Sequence, residues 1–161
     1  MAGTRAARPI LLTKPAGPVP SADGSEVSDI MTGLVWRRCA DGMAWNDNAQ
    51  TCDGEATRFM WTDALKHVRQ THEGGWRLPN VKELYSIIEL EPKLPALTRV
   101  KIDHRAFPNT PDWIFFSSTA FENFPDVYVH VVEFGYGTVV HNPALFPGFD
   151  AIVRMVRRGR E

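Results

Sequence analysis

The sequence lacks long hydrophobic runs. The chain has 161 residues, and none of its apolar runs approaches the roughly 18 residues that a membrane-spanning helix needs. The apolar run at residues 9–12 is also too short for the core of a secretory signal peptide. As it stands, the sequence predicts a soluble chain with no membrane span and no export signal.

An excess of either charge is missing as well. The chain has 18 Lys and Arg and 19 Asp and Glu, which gives a net charge of −1. Such a balance creates no overall field toward nucleic acid or an anionic membrane. We therefore expect no nucleic-acid partner, and any charged ligand must be met by a local patch.

Recognisable catalytic motifs are absent too. The sequence has no HExxH zinc motif, no GxSxG nucleophile turn, no phosphate-binding Walker loop and no dinucleotide-binding glycine pattern. The run Ser117-Ser118-Thr119 has no base partner at a motif spacing. We therefore expect that the protein is not an enzyme.

The composition is that of an ordinary globular protein, with 43% hydrophobic residues. A single domain of this length buries about 70% of its unfolded surface. Residues 1–28 differ from the rest, because they are rich in Pro, Ala, Gly and Ser and have no periodic apolar pattern. We interpret residues 1–28 as a flexible tail or linker and residues 29–161 as one domain.

Two helices are predicted in the first half of the domain. Asn80 followed by Glu83 is typical of a capping box, in which each residue bonds the backbone of the other at a helix start. The apolar stripe of this helix runs to Glu91-Pro92, where proline ends it. An earlier stripe predicts a helix that ends near Gln70. The two stripes are Val81, Leu84, Ile87, Ile88 and Trp61, Ala64, Leu65, Val68.

The second half favours β-structure, with runs of strand-forming residues at 113–117, 127–134, 138–141 and 151–157. Gly135-Tyr136-Gly137 predicts a hairpin turn between the second and third runs. A tight turn there would place His130 opposite His141. The element order predicts an α+β fold with two helices and a small, mostly antiparallel, twisted β-sheet, whose first strand returns beside the last.

The chain resembles a known family through an ordered set of motifs. Residues 74–84 resemble the Arg-Leu-Pro motif that opens the second helix in the formylglycine-generating-enzyme-like branch of the C-type lectin-like superfamily. Over residues 30–158 the motif order is similar to that of the bacterial DUF1566 family, also called the Lcl C-terminal domain. The motifs are residues 32–36, Cys39 with Cys52, residues 61–65, residues 107–111, Ser117-Ser118, Phe134-Gly135 and residues 153–157. The resemblance implies a C-type lectin-like fold.

The cysteines carry two further expectations. Cys39 and Cys52 enclose a polar loop, and because the family looks exported, the resemblance implies an intrachain disulfide in an extracellular, periplasmic or envelope location. The alternative is a pair of reduced, buried thiols in a cytosolic protein. The oxidase branch of the superfamily needs paired cysteines near its C-terminal end, and this chain has none after Cys52, so we expect no oxidase activity.

Loop aromatics and loop cations are the candidate ligand-binding residues. Aromatic rings in predicted loops can stack on a sugar, although they can also simply cover the core. Arginine and lysine can bind the acidic groups of a polysaccharide, although a solvated face is the alternative. The aromatic candidates are Trp45, Phe121, Phe124 and Tyr136, and the cationic candidates are Arg99, Lys101 and Arg105. We expect Arg154 and Arg157 to make structural pairs instead.

A metal site is the weaker interpretation of two other groups of residues, an acidic loop and a pair of histidines. The loop residues Asp41, Asn46, Asp47, Asn48, Asp53 and Glu55 offer the oxygen ligands that calcium prefers, but without EF-hand spacing. Asn and Asp clusters are the normal chemistry of turns. His130 and His141 could hold a transition metal only with a third ligand. We therefore expect no cofactor, and calcium is the alternative.

The function expected from these features is a non-enzymatic recognition module of the bacterial surface or envelope. Resemblance to the C-terminal domain of a collagen-like adhesin implies binding of glycans or glycosaminoglycans, and the partner would be a glycan or a host or cell-surface protein. The alternative is a structural or oligomerisation domain of a surface assembly. Such a domain binds protein, including a second copy of itself in a homo-oligomer.

Overall fold

Strands make up most of the regular structure that the computed structural model describes, which covers residues 17–90, 99–144 and 146–159. Two α-helices lie between the early and the late strands. The helices are α1 (Trp61–Gln70) and α2 (Val81–Ser86). The strands are β1 (Val19–Pro20), β2 (Glu26–Asp29), β3 (Leu34–Arg37), β4 (Ala44–Asn46), β5 (Thr51–Asp53), β6 (Arg58–Phe59), β7 (Ile114–Ala120), β8 (Tyr128–Glu133), β9 (Thr138–Pro143), β10 (Ala151–Ile152) and β11 (Val156–Arg158).

The strands are divided between two sheets and a ribbon, where the sequence predicted one small sheet. One sheet has the order β1-β2-β3-β11, the larger has the order β6-β10-β7-β8-β9, and β4 pairs with β5. Strand β3 lies beside β11, with Trp36 opposite Val156, so the prediction that the first motif strand returns beside the last is confirmed. All pairs are antiparallel except β7 with β10, and the α+β class is confirmed.

The run at 151–157 forms two strands, although the sequence predicted one. Strand β10 belongs to the larger sheet and β11 to the other, and Val153, Arg154 and Met155 cross between them. All three crossing residues are buried. A strand with one exposed face would alternate buried and exposed positions. The crossing segment is buried at every position because it passes between the two sheets.

The domain also begins earlier than the composition suggested. Within the predicted tail, β1 and β2 pair with each other, and β2 continues the sheet against β3. Val27 of β2 is fully buried in the core. Residues 17–28 are therefore part of the folded domain, and the expected flexibility of residues 1–16 lies outside the described residues.

Both faces of the larger sheet are covered along β7 and β8. Phe115 opposite Val132 belongs to one hydrophobic core, and Phe116 opposite Val131 belongs to the second. The first core also contains Trp36, and the second contains Trp76 and receives Trp61 at its edge. These three tryptophans pack as structural residues.

Helix α1 has the predicted extent and α2 has the predicted start. The Asn80 side chain accepts from the Glu83 backbone N–H at 2.9 Å, and the Glu83 carboxylate accepts from the Asn80 backbone N–H at 2.8 Å. The capping box is thus present. Arg77 adds a two-bond pair to the same carboxylate, at 2.8 and 2.7 Å. The bond from Arg77 is the main reason why the pKa of Glu83 is lowered.

Helix α2 ends at Ser86, earlier than predicted. Beyond it, Ile88 pairs as a bridge with Ile102, and the Glu89 N–H donates to the Lys101 carbonyl at 3.0 Å. Ile87 and Ile88 still pack on the first core. The apolar stripe therefore continues beyond the end of the helix, where Ile88 pairs in a β-bridge, and spacing alone did not distinguish it from a longer helix. Residues 91–98, where we expected proline to end the helix, lie outside the described residues.

The cap gives the first testable prediction. Asn80→Ala should lower the free energy of unfolding by about 1 kcal/mol. Glu83→Ala should cost more, because it also removes the pair with Arg77. Urea denaturation measures both, with Lys82→Ala as control, since Lys82 is an exposed residue in the same turn. Because the pKa of Glu83 is lowered in the folded domain, the Glu83 carboxylate contributes fully to the free energy of unfolding above its ordinary pKa of 4.5. This contribution is lost as the pH falls through the lowered pKa. Unchanged midpoints for both variants would show that the cap does not stabilise α2.

Candidate functional site

The seven predicted ligand residues do not converge on one surface. Trp45 lies on the β4–β5 ribbon. Arg99 and Tyr136 lie together near the β8–β9 turn. Phe121 and Phe124 lie where β7 ends and β8 begins, about 17 Å from that turn along a six-residue strand.

Trp45 is used for packing inside the domain. The guanidinium of Arg38 lies 3.7 Å from the centroid of its ring. A Cβ atom at Gly24 would stand 2.1 Å from the indole Nε1 of Trp45, so only glycine allows this approach. The ring is held between Gly24 and Arg38, and little of it is left for an external ligand.

Two of the three loop cations already have partners inside the chain. Arg99 donates to the Asp112 carboxylate at 2.6 Å, and its guanidinium lies 5.1 Å from the Tyr136 ring centroid. The bond to Asp112 is the main cause of a raised pKa of Arg99. Arg105 lies 3.5 Å from an oxygen of Asp103. Lys101 is half-buried. Two of the three cations are therefore compensated by a carboxylate, which weakens this loop as a site for acidic groups.

A group of aromatic rings lies at the end of the larger sheet where β8 begins. We call these residues the aromatic ledge. Its members are Phe121, Phe124, Tyr128, His130 and His141. His130 pairs directly with His141 across β8 and β9, as the hairpin predicted.

Phe121 is the centre of the ledge. Its ring is stacked on His141 at a centroid distance of 4.5 Å and an interplanar angle of 16°. It meets His130 edge to face at 5.6 Å and Tyr128 at 6.2 Å. Such offset and edge arrangements are the favourable ones for aromatic pairs. The rings therefore form one continuous surface.

Strand alternation and a tight turn produce the ledge. Tyr128 and His130 are two residues apart on β8, so they point to the same face, whereas Val129 between them is buried in the second core. The Phe121 N–H donates to the Tyr128 carbonyl at 2.9 Å, and the Phe124 N–H donates to the Phe121 carbonyl at 3.2 Å. This turn presents Phe124, which is 59% exposed.

Polar groups border the ledge. The Nε2 atom of His130 lies 3.4 Å from a carboxylate oxygen of Glu122. The Nδ1 atom of His130 is buried and has no hydrogen-bond partner among the described residues. Asn123 and Asp126 are exposed in the same turn. The ledge therefore combines apolar ring faces with neighbouring carboxylate and amide groups.

Tyr128 was missed as a candidate because it falls inside a predicted strand. The alternation of Tyr128 and His130 with Val129 and Val131 was the available signal, since period-two polarity marks an outward face. The packing of Phe121 on His141 joins residues twenty positions apart, and no local pattern predicts it.

The loop considered for calcium bonds largely to itself. The Asn46 amide donates to Asp53 at 2.6 Å, and Gln50 donates to the carboxylate of Asp47 at 3.0 Å. Among the described residues, no group of three or more His, Cys, Asp or Glu side chains is placed to hold a metal ion. The question of calcium stays a prediction to be tested in solution.

The two cysteines form the predicted disulfide, Cys39–Cys52, across thirteen positions of sequence. It ties the segment after β3 to β5, and Asn109 fixes the same ribbon by donating to the Cys52 carbonyl at 2.8 Å. The C-terminal arginines make structural bonds, as expected. Arg157 pairs with Glu26 at 2.6 Å, and Arg154 donates to the backbone carbonyls of Arg37 and Arg38.

These features define a small, disulfide-bonded α+β domain that exposes an aromatic surface. The model of the Lcl C-terminal domain family matches residues 25–157. The chain belongs to this family, which confirms the resemblance read from the motifs. Comparison with curated proteins and with solved structures finds no match, and the wider lectin-like superfamily stays a prediction. Within the described ranges, no helix has the length and apolar character needed to cross a membrane.

Proposed function

We propose that this domain is a non-enzymatic recognition module of the bacterial surface or envelope, and that it binds glycans through the aromatic ledge. The observation that carries the proposal is the continuous surface of five rings, with Phe124 projecting from it. Exposed aromatic clusters on a rigid scaffold are typical of binding surfaces.

The chemistry of the ledge suits a sugar. Ring faces pack against the C–H groups of a pyranose, and the negative face of an aromatic ring favours such contacts. Glu122, Asn123 and Asp126 supply oxygen and amide groups for the hydroxyls. Because Arg99 and Arg105 are paired with carboxylates, stacking supports the proposal better than attraction of a sulfated polymer to the loop cations does.

The disulfide supports the proposed location. Disulfides persist in oxidising compartments and are rare in the cytosol, so Cys39–Cys52 fits an extracellular, periplasmic or envelope protein. A location on the surface also brings a recognition module to its glycan.

A second candidate is a structural domain that binds protein or a second copy of itself. Several large apolar side chains are exposed besides Phe124, and this favours an apolar interface. They include Val139, Val140, Phe146 and Phe149.

Glycan binding is tested by an array at low ionic strength, followed by titration of the best ligand. Phe124→Ala should weaken binding about tenfold, which corresponds to about 1.4 kcal/mol. Tyr136→Ala is the matched control, because Tyr136 is 60% exposed but lies at the opposite end of the sheet. It should leave the affinity within a factor of two. Both variants should retain the unfolding midpoint.

Two results would overturn the proposal. An array without hits, together with a stable self-associated species in light scattering, would assign the domain to the structural class. Binding to heparin that is lost at high salt and in the triple replacement of Arg99, Lys101 and Arg105, but kept in Phe124→Ala, would move the site to the loop cations.

A further inference from the structure

A pocket of about 300 Å³ lies apart from the aromatic ledge. It opens between the β2–β3 hairpin, helix α1 and the crossing segment near Met155, and it shares no lining residue with the ledge. Its polar wall contains Arg37, Asp41 and His67, and its apolar wall contains Met43, Trp45 and Met155.

Asp41 is fixed at the polar wall by its backbone. Its N–H donates to the Val153 carbonyl at 3.0 Å, and its carbonyl accepts from the Thr57 N–H at 2.8 Å. The side chain is 17% exposed, and its Oδ2 lies 3.2 Å from Nε2 of His67. The other oxygen, Oδ1, has no hydrogen bond to a described residue. One acceptor of a mostly buried carboxylate therefore stays available to the pocket.

Burial raises the pKa of Asp41 even though His67, Arg37 and Arg154 all act to lower it. The charged form thus costs free energy in the folded domain relative to water. Carboxylates whose pKa is shifted by burial are candidate functional groups.

Arg37 lies on the same wall with unused donors. Its guanidinium lies 4.2 Å from the Trp76 ring centroid, and within the described residues it makes no side-chain hydrogen bond and no ion pair within 4.0 Å. Its neighbours Arg38 and Arg154 differ, because both donate to backbone carbonyls. Arg37 and Asp41 therefore face one pocket with opposite charges, and they are not paired with each other.

We propose that this pocket binds a zwitterionic amino acid with an apolar side chain. The ligand carboxylate bonds the guanidinium of Arg37, and the ligand ammonium group bonds the free oxygen of Asp41. The side chain packs between Met43 and Met155, since thioethers adapt to irregular apolar shapes. A simple anion would satisfy only Arg37 and a simple amine only Asp41, whereas a zwitterion satisfies both. This ligand goes beyond the proposed glycan recognition and does not depend on it.

Isothermal titration calorimetry with three matched probes tests the ligand class. The probes are L-leucine, isoamylamine, which lacks the carboxylate, and 4-methylpentanoate, which lacks the amine. L-leucine should bind, and each analogue should bind at least tenfold more weakly, because it leaves one charged group without a partner. Equal affinity for L-leucine and 4-methylpentanoate would overturn the zwitterion and leave an anion site.

Variants assign the two charged groups. Asp41→Asn and Arg37→Gln should each weaken L-leucine binding at least tenfold. Asp63→Asn and Arg69→Gln are the matched controls, because both residues are exposed on α1 outside the pocket, and they should have no effect. Asp41→Asn should not lower the thermal midpoint at neutral pH, since burial disfavours the carboxylate it removes. Full L-leucine affinity in both pocket variants would refute the assignment.

A measurement on the unaltered protein keeps the proposal independent of these variants. Addition of L-leucine should shift the NMR signals of the His67 ring and the Met43 methyl group, which line the pocket. The His141 ring, which lies in the ledge, should not shift. Absence of any shift at millimolar L-leucine would exclude the site, and that result would leave the glycan proposal untouched.

Discussion

Replacement of Cys39 and Cys52 together by alanine is expected to lower the free energy of unfolding by about 3 kcal/mol. The disulfide closes a loop across thirteen positions, and the open chain regains the conformational freedom of that loop when it unfolds. The loop closed by the disulfide also contributes to the buried interior, because Cys52 and Ala40 are both buried. Urea denaturation of the double variant against the unaltered protein measures the loss.

Reductant provides the control for this experiment. Dithiothreitol should lower the unfolding midpoint of the unaltered protein and leave that of the double alanine variant unchanged. Mass spectrometry under native, non-reducing conditions should find no alkylated thiol. An equal midpoint with and without reductant in the unaltered protein would mean that the disulfide does not constrain the unfolded chain, and the argument for an exported protein would lose its support.

Local features of the fold could be predicted because neighbouring residues determine them. The cap at Asn80 and Glu83 needs only one turn of helix. The pairing of His130 with His141 follows from the length of one hairpin turn, in which Gly137 takes a positive φ of 69°. These interactions span at most eleven positions, so sequence spacing was sufficient.

Features that depend on distant segments could not be predicted. The segment at 151–157 reads as one strand, and only the position of two sheets around it explains why it is divided. Ile88 continues the stripe of α2, but it pairs with Ile102 in a β-bridge instead of extending the helix. In both places tertiary packing overrides a valid local preference.

The distinction between features set by neighbouring residues and features set by distant segments also applies to the candidate site. Phe121 and Phe124 were found because aromatics in loops are conspicuous, and the structure places both in the ledge. Trp45 has the same sequence signature but packs between Gly24 and Arg38. The carboxylate that compensates Arg99 lies thirteen positions away at Asp112. Whether a loop residue is free or already used is decided by contacts that the sequence does not specify.

Arg154→Met is expected to cause a large loss of stability, about 2 to 6 kcal/mol, because each of the two buried carbonyls left without a donor costs about 1 to 3 kcal/mol. Arg154 is buried where the chain crosses between the two sheets. Its guanidinium donates to the backbone carbonyls of Arg37 and Arg38 and, at 3.0 Å, to the hydroxyl of Thr110. Burial lowers the pKa of Arg154 to about 9, so the side chain remains charged at neutral pH. Methionine fills a similar volume but leaves the two carbonyls without a donor.

Arg157→Met is the matched control, because Arg157 lies three residues further on and pairs with Glu26 nearer the surface. It should cost about 1 kcal/mol or less. Arg154→Lys should lie between the two, since one ammonium group cannot reach all the acceptors that the planar guanidinium reaches. Equal midpoints for Arg154→Met and Arg157→Met would show that the carbonyls find other donors. Arg154 also holds the carbonyl of Arg37, so Arg154→Met should abolish L-leucine binding in the pocket that Arg37 lines. Glycan binding at the distant ledge should be kept under conditions where the variant remains folded.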